Sequence, residues 1–317
     1  YTRGCRLNLR PQDSGETLVE SEPAPEWTAG TRIELRFGDS IPPDSRALFW
    51  AELAQSMRDG ASAYKGLSSA WWYDADAFYE LLQASNSSSV REVISQLDGC
   101  TGQKAGMLAA AFLHRQAGSL TRQETSDLLQ TIRAHTRPVG PERLGRVGCL
   151  ADLPDSYAHA EMKYALTPGR GDLAAELPCV VEAWVERLTP SNRHQMYVFV
   201  NRTPVTGDVG LYSATRGGTR ATLYGCNLDT EVQTGRSPLL VVVNVQTPYM
   251  PITTDGKEPD LAPMRDAIVR AVENATRGAP SAGGSAKRTT KQALLDEAHQ
   301  ILAADQPMTV RQVYYQL

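Results

Sequence analysis

The clearest pattern of hydrophobic and polar positions lies between residues 239 and 277. A run of mostly β-branched apolar residues, Leu239 to Val245, predicts a buried strand. A loop with prolines and a single lysine follows, and then Glu258, Asp260 and Pro263 are placed as in the first turn of a helix. Apolar residues recur at helical spacing after the loop, namely Leu261, Met264, Ile268, Val272 and Ala275. The pattern predicts a strand–loop–helix unit, and open α/β sheets bind ligands where such a strand ends.

Shorter runs predict further strands on the N-terminal side of this unit. Apolar or alternating segments favour strands at Cys5–Leu9, Arg32–Phe37, Pro178–Leu188 and Met196–Pro204. The acidic stretch between the first two of these segments is predicted to be a loop.

Residues 45–148 have helical patterns instead. One short helix is predicted over Val90–Leu97 and a second over Gln103–His114, with a glycine-rich turn between them. A third helix begins at a capping box formed by Thr121 and Glu124. The apolar residues that the second and third helices are expected to bury are Met107, Leu108, Ala111, Phe112, Leu128, Leu129 and Ile132.

A chain of 317 residues is long enough for two or three domains, and these patterns divide it accordingly. Residues 137–148 are rich in proline and glycine, which predicts a basic linker that is either solvated or turned towards DNA. The predicted fold class is α+β with several domains. The predicted parts are residues 1–44, a helical domain with its linker over 45–148, an α/β domain over 149–279, a flexible linker over 280–291, and the start of a further domain over 292–317.

Composition excludes several classes of protein. Apolar residues make up 41% and charged residues 21% of the chain, which is ordinary for globular protein, and no apolar run is long enough to cross a membrane. The five cysteines are scattered without metal-ligand spacing, which indicates reduced thiols and no metal site. The net charge of −4 excludes a strongly basic DNA-coating protein. Residues 91–148 nevertheless hold eight basic against five acidic residues, so any DNA contact is expected there.

The strand–loop–helix unit resembles the transducer domain of the B subunit of topoisomerase VI, a type IIB DNA topoisomerase. The matching residues are Pro248, Pro251 and the run Thr253–Glu258, which reads TTDGKE. The resemblance implies that Lys257 reaches the γ-phosphate of ATP held by the preceding domain, while Gly256 permits a tight turn. An ammonium group on a long stem suits this task, because it acts as a point charge for phosphate. A solvated loop lysine is the alternative.

The resemblance extends to both sides of this unit. Residues 1–44 would be the end of a GHKL-type ATPase domain, the family shared by gyrase, MutL proteins and topoisomerase VI, and Thr31 would belong to its nucleotide site. ATP and Mg²⁺ are therefore the implied cofactors, with most of both sites outside this chain. The strand that ends at Asn201 and Arg202 resembles one in the same family, and these two residues are expected to organise the domain interior or its hinge.

The helical region resembles the helix-two-turn-helix domain of the same B subunits. The similarity lies in two helices joined by the glycine-rich turn that runs from Gly99 to Lys104. Backbone amides at such a helix start can hold phosphate, so Gly102 and Lys104 are implied to contact DNA. An ordinary turn in a helical bundle is the alternative.

The tail of the chain resembles the opening of topoisomerase VI A subunits, where a winged-helix domain carries the DNA-cleaving tyrosine. The matching residues are Arg311 and Tyr315 in a helix over Val310–Leu317, which begins at a capping box of Thr309 and Gln312. A phenol with a pKa near ~10 is a poor nucleophile, and a neighbouring guanidinium favours its ionised form. A surface Arg–Tyr pair is the alternative. The metal-binding domain needed for cleavage would lie outside this chain.

The resemblance implies part of an ATP-dependent type IIB topoisomerase with B-like and A-like parts on one polypeptide. It would be cytoplasmic and nucleoid-associated, and it would not enter a membrane. Its implied partners are double-stranded DNA, a second copy bound through the ATPase domains, and an A-like cleavage module in cis or in trans. One alternative is an ATP-gated DNA clamp, or a nuclease or defence-type relative, without strand passage. Another is a small-molecule enzyme, although no acid–base pair or nucleophile–histidine arrangement supports it.

Overall fold

A computed structural model describes residues 5–11, 16–23, 45–59, 64–166, 173–205, 207–213, 218–253 and 258–280. These residues form a mixed α+β fold with several sheets and helices, which confirms the predicted class at that level. The chain divides into two compact units, Tyr1–Ala47 and Leu48–Leu317.

The strands are β1 (Cys5–Pro11), β2 (Thr17–Pro23), β3 (Ser156–Ala165), β4 (Glu176–Arg187), β5 (Gln195–Val200), β6 (Thr203–Pro204), β7 (Gly210–Tyr212), β8 (Arg220–Gly225), β9 (Leu228–Gln233) and β10 (Leu239–Gln246). The α-helices are α1 (Ser45–Asp59), α2 (Ala75–Ala84), α3 (Val90–Ser95), α4 (Gln103–Leu108), α5 (Arg122–His135) and α6 (Arg265–Gly278). Short 3-10 helices cover Ala70–Trp72, Ala110–Phe112, Ala117–Ser119, Pro141–Leu144 and Ala262–Met264.

The first unit contains an antiparallel hairpin of β1 and β2, in which Leu9 pairs with Val19. The predicted strand Cys5–Leu9 is confirmed within β1. Its partner β2 replaces the acidic loop that we predicted. Pairing with β1 holds this segment as a strand although nearly all of its side chains are exposed, and Glu20 and Glu22 alternate along it with Ser21. The predicted strand Arg32–Phe37 lies outside the described residues.

The main sheet of the second unit has the strand order β3-β4-β10-β5-β6. The apolar run of β10 lies at its centre, antiparallel to β4 and parallel to β5, and is buried on both faces as predicted. On one face Val241, Val243 and Val245 belong to the core that α6 covers. On the other face Val242 packs with Leu53 of α1. The small antiparallel sheet β7-β8-β9 lies within the connection between the parallel strands β5 and β10.

The predicted apolar face of the last helix is confirmed, because all five of its apolar positions are buried: Leu261, Met264, Ile268, Val272 and Ala275. The predicted start is wrong, since α6 begins at Arg265 after a 3-10 turn that contains Pro263. Glu258 and Asp260 lie before the helix in a short β-type pairing, where Asp260 N–H donates to the carbonyl of Pro251.

The helical region surrounds a core of its own, formed by α2, α3, α4 and α5. The capping box of Thr121 and Glu124 is present as predicted, and a second box at Ser89 and Glu92 begins α3. The predicted helix Gln103–His114 is shorter, because α4 ends at Leu108 and a 3-10 helix follows. The residues after Leu108 therefore do not continue the apolar face of α4. Leu108 is buried and Phe112 partly buried, whereas Met107 and Ala111 are exposed, contrary to the prediction.

The segment 137–148 is not a solvated linker. Val139, Leu144 and Val147 are buried, and Pro141–Leu144 lies beside β4. The glycines and prolines do end α5, as predicted, but the apolar residues between them hold the segment against the sheet.

Candidate functional site

The C-terminal ends of β5 and β10 lie at the same edge of the main sheet, because the two strands are parallel neighbours. After β5 the backbone turns at Asn201 and Arg202, which have positive φ values of 48° and 66°. Arg202 N–H donates to Asn244 Oδ1 over 3.1 Å, and Thr247 N–H donates to Asn201 Oδ1 over 3.0 Å. The turn thus joins the ends of both strands, which confirms the structural role predicted for Asn201 and Arg202.

A short hairpin stem follows β10 and leads into α6. Thr253 N–H donates to the carbonyl of Glu258 over 2.8 Å, and Asp260 N–H donates to that of Pro251 over 2.7 Å. Ile252 and Pro259 pair between them as an antiparallel bridge. Gly256 and Lys257 belong to the residues that connect the two sides of this stem, and they lie outside the described residues.

The turn between β8 and β9 supports the stem. Cys226 and Asn227 both have positive φ values, 51° and 60°, as in a type I′ hairpin turn. The carbonyl of Cys226 accepts a hydrogen bond of 3.0 Å from Leu261 N–H, at the point where the stem ends. Burial, with the carboxylates of Glu258 and Asp208 nearby, raises the pKa of the Cys226 thiol to about 11, so the thiol stays neutral near pH 7.

Two glycines allow this close packing around the stem. A Cβ at Gly207 would lie 2.6 Å from Glu258 Oε1, and a Cβ at Gly225 would overlap the carbonyl oxygen of Asp208. No sequence pattern indicates these contacts, because they join segments that are far apart along the chain.

A buried carboxylate connects the strand ends to residues 144–148. Glu182 of β4 is fully buried and accepts hydrogen bonds from the N–H groups of Val147 (3.0 Å) and Gly148 (2.9 Å). Tyr157 Oη donates to it over 2.9 Å and Asn244 Nδ2 over 3.2 Å. Burial and the Glu182 carboxylate raise the pKa of Tyr157, which keeps this phenol a donor. Since Asn244 also holds the Arg202 turn, the network extends to the sheet edge.

A cavity of about 480 Å³ opens at the same edge. It lies between the segment that precedes α2 and the ends of β5 and β10. Its walls are Tyr64, Ser68, Trp72, Tyr73, Ala77, Leu144, Asn201, Arg202, Gln246, Thr247, Pro248 and Tyr249.

The two predicted DNA-binding residues lie at the start of α4. Gly102 has φ 66° and ψ −130°, a conformation that favours glycine, and no atom lies within 4 Å of where its Cβ would be. Lys104 is half-buried in the first turn of α4. Arg91 of α3 lies alongside, with its Nε 3.8 Å from the Cβ position of Gly106. The structure therefore brings a second cation, which we did not predict, close to the helix that carries Lys104.

Four of the eight basic residues in 91–148 are neutralised by ion pairs or bound within the fold. Arg115, Arg122 and Arg143 form ion pairs with Glu124, Asp76 and Asp98, respectively. Arg133 is buried and donates to backbone carbonyls. By contrast, Arg91, Lys104 and Arg137 form no ion pair with any described residue.

Thr31, Arg311 and Tyr315 lie outside the described residues. Within the described part of the chain, no three His, Cys, Asp or Glu side chains are grouped as a metal site would need. No described helix is long and apolar enough to span a bilayer. A search of family models and a search of curated proteins find no match to this chain.

Proposed function

We propose that this chain is part of an ATP-dependent type IIB DNA topoisomerase, with B-like and A-like parts on one polypeptide. ATP binding would join two copies through their ATPase domains, and Lys257 would contact the γ-phosphate. The resulting movement of the transducer, residues 149–279, would reach the cleavage module. Tyr315 would then form a phosphotyrosine bond as a DNA phosphodiester bond breaks, a second duplex would pass, and religation would reverse the reaction.

The observation that carries this proposal is the hairpin stem at the C-terminal edge of β10. In open α/β sheets this edge is where ligands bind. The stem is closed by the Thr253–Glu258 and Pro251–Asp260 hydrogen bonds, so the residues that include Lys257 are attached at both sides to a fixed base.

The stem is also suited to passing a movement onwards. Leu261, which follows it, is fully buried and bound to the β8–β9 turn, and the 3-10 turn over Ala262–Met264 leads directly into α6. Because α6 packs along β3 and β4, a displacement of the stem would shift the helix and sheet together. The helix ends at Gly278, next to the segment that precedes the A-like residues.

ATP turnover in the full-length protein tests the role of Lys257. Lys257→Ala removes the proposed phosphate contact, and DNA-stimulated ATP hydrolysis should fall by about tenfold or more. Lys163→Ala is the matched control, because Lys163 pairs with Glu176 at the exposed surface of β3. Undiminished hydrolysis by Lys257→Ala would contradict the assignment.

The proposed nucleophile is tested by trapping covalent protein–DNA adducts with denaturant. Tyr315→Phe should abolish the adducts, while Tyr314→Phe, one residue earlier, should retain them. Relaxation of supercoiled plasmid then separates the topoisomerase from an ATP-gated clamp. A clamp would bind DNA and hydrolyse ATP but leave the plasmid supercoiled, and adducts that persist in Tyr315→Phe would exclude this residue as nucleophile.

DNA contact at α4 is tested by the salt dependence of binding. Lys104→Ala should weaken duplex binding about equally for all sequences and lower the slope of log K against log salt by about 1. Lys65→Ala removes an exposed lysine from the segment before α2 and serves as the control. An unchanged slope for Lys104→Ala would assign this turn to helix packing alone.

A further inference from the structure

The cavity at the ends of β5 and β10 lies between two parts of the chain and has the size of a small-molecule site. Its volume of about 480 Å³ falls within the range of roughly 300–1,000 Å³ that is usual for ligand pockets. One wall comes from residues 64–77 of the helical region. The other comes from the C-terminal ends of β5 and β10, the edge at which α/β sheets commonly bind ligands.

Aromatic side chains form much of the wall. Tyr64, Trp72 and Tyr73 lie on the helical side, and Tyr249 lies on the side of the sheet. The rings of Tyr64 and Trp72 meet edge to face, with their centroids 5.4 Å apart. Contacts between aromatic rings stabilise beyond the area that they bury, so this wall favours a planar ring over a saturated ring of the same size.

The charged and amide side chains of the wall are already bound within the protein. Arg202 Nη2 donates to Gln246 Oε1 over 3.4 Å, and Gln246 Nε2 donates to the carbonyl of Leu144 over 2.6 Å. Asn201 Oδ1 accepts from Thr247 N–H. The lining residues include no aspartate or glutamate. A charged ligand of either sign would leave water without a free counter-charge, which is costly, so the cavity favours a neutral molecule.

A pair of hydroxyl groups in the wall keeps the capacity to form hydrogen bonds. Ser68 Oγ and Tyr73 Oη lie 2.8 Å apart, and either oxygen can be the donor. The contact uses one of the two hydroxyl protons, and the other proton has no acceptor among the described residues. The two oxygens also keep unused lone pairs. The pair can therefore donate one hydrogen bond and accept another side by side, which matches an amide group on a ligand.

From this geometry we propose that the cavity binds a small neutral molecule that carries an amide on a planar aromatic ring. The ring would lie against the tyrosines and Trp72. The amide carbonyl would accept a hydrogen bond from the pair of Ser68 and Tyr73, and the amide N–H would donate to it. Binding at this site needs neither ATP nor DNA, so it stands apart from the topoisomerase proposal.

Calorimetric titration of the 317-residue chain with four matched probes tests the class of ligand. The reference probe is 2-naphthamide. Methyl 2-naphthoate lacks its N–H donor, 2-naphthoate is charged, and decahydronaphthalene-2-carboxamide carries the amide on a saturated ring. One saturable site is expected for 2-naphthamide, and each of the other three should bind about threefold to tenfold more weakly. Equal affinities for all four probes would overturn the proposal.

The double variant Ser68→Ala with Tyr73→Phe tests the hydroxyl pair. It removes both partners together, so neither is left unsatisfied and the fold should be kept. In this variant 2-naphthamide should lose its preference over methyl 2-naphthoate. Tyr79→Phe with Ser87→Ala makes the same chemical changes at residues that do not line the cavity, and it is the matched control. A preference that persists in the first double variant would contradict the assignment of the amide to this pair.

Ala77→Phe tests whether binding takes place in the cavity. Ala77 lines the cavity from the first turn of α2, so a phenyl group there would occupy the space of the ligand, and binding of 2-naphthamide should be lost. Ala84→Phe, at the exposed last residue of the same helix, should bind as the unmodified chain does. If Ala77→Phe fails to fold, the hydroxyl double variant decides. No saturable binding by the unmodified chain, or full binding by folded Ala77→Phe, would overturn the proposal.

Discussion

Glu182 shows how one buried side chain fixes a whole segment. Its carboxylate satisfies two backbone N–H groups of the segment 144–148, and it also accepts from Tyr157 and Asn244. An amide in its place would turn an N–H₂ group towards these donors, and an unsatisfied buried donor is costly.

We therefore expect Glu182→Gln to lower the free energy of unfolding by roughly 2 to 4 kcal/mol, measured by urea denaturation. Glu186→Gln lies on the same strand but is exposed, so it should change stability little. Equal effects of the two substitutions would mean that the network does not hold the segment.

His194 gives the protein a pH-dependent contact at the start of β5. Its Nδ1 accepts a hydrogen bond of 3.1 Å from Leu239 N–H, so Nε2 carries the proton and donates to Ser213 Oγ over 2.8 Å. Ser213 in turn donates to the carbonyl of Arg220. The hydroxyl proton of Ser213 is therefore bound to the backbone and not to the histidine. The two residues form a structural link between β5 and β7, not a nucleophile and its base.

Burial lowers the pKa of His194 below its ordinary value, so the unfolded chain binds a proton at this residue more readily than the native one. Stability from His194 is thus present above about pH 6.5, the ordinary pKa of histidine, and is lost as the pH falls through its lowered native pKa. Urea denaturation at pH 7.5 and at pH 5.5, roughly one unit on either side of the ordinary pKa of histidine, measures the loss. His194→Gln should reduce it, whereas His135→Gln, at an exposed position, should not.

At the scale of elements, Arg187 ties the end of α6 to two strands. Its guanidinium group donates to the carbonyls of Thr276 (2.9 Å) and Ala279 (3.1 Å) at the helix end, and to that of Thr234 after β9 (3.0 Å). The last carbonyls of a helix have no partner within the helix, so these bonds complete α6.

Arg187→Met keeps the apolar stem but leaves three carbonyls without their donor. It should cost roughly 2 to 3 kcal/mol in urea denaturation and increase hydrogen exchange in the last turn of α6. Arg277→Met, at an exposed position of the same turn, is the control. Unchanged exchange in that turn would show that the helix end does not depend on Arg187.

Elements set by local periodicity could be predicted from the sequence, and those set by distant pairing could not. The apolar run of β10 and the capping box of α5 are local signals, and both are confirmed. By contrast β2 is an exposed strand with an acidic pattern, so only its pairing with β1 defines it. At the candidate site, the strand–loop–helix pattern could be predicted from the sequence, while the hydrogen bond from Leu261 N–H to the carbonyl of Cys226 arises only when the small sheet packs beside the stem.

At the scale of the whole molecule, the helical region and the main sheet share polar contacts across the boundary predicted near residue 148. Arg133 of α5 is buried, and it donates to the carbonyls of Ala70 (3.3 Å), Tyr73 and Ala174 (3.0 Å), the last of which lies two residues before the start of β4. Gln246 Nε2 at the end of β10 donates to the carbonyl of Leu144 over 2.6 Å. Because these contacts are buried or half-buried, we expect the helical region and the main sheet to unfold together as one cooperative unit.

Hydrogen exchange with mass spectrometry tests this directly, because it gives separate opening free energies for peptides of α5 and β10. In the unmodified chain the two values should agree, as for one cooperative unit. Arg133→Met removes the donor to three carbonyls and should lower the α5 value by about 2 kcal/mol or more relative to β10. Arg137→Met, at an exposed position just beyond α5, should leave them equal. Different values in the unmodified chain would instead mean that the helical region is an independent domain. A movement of the proposed transducer, residues 149–279, would then not need to reach the residues proposed to contact DNA.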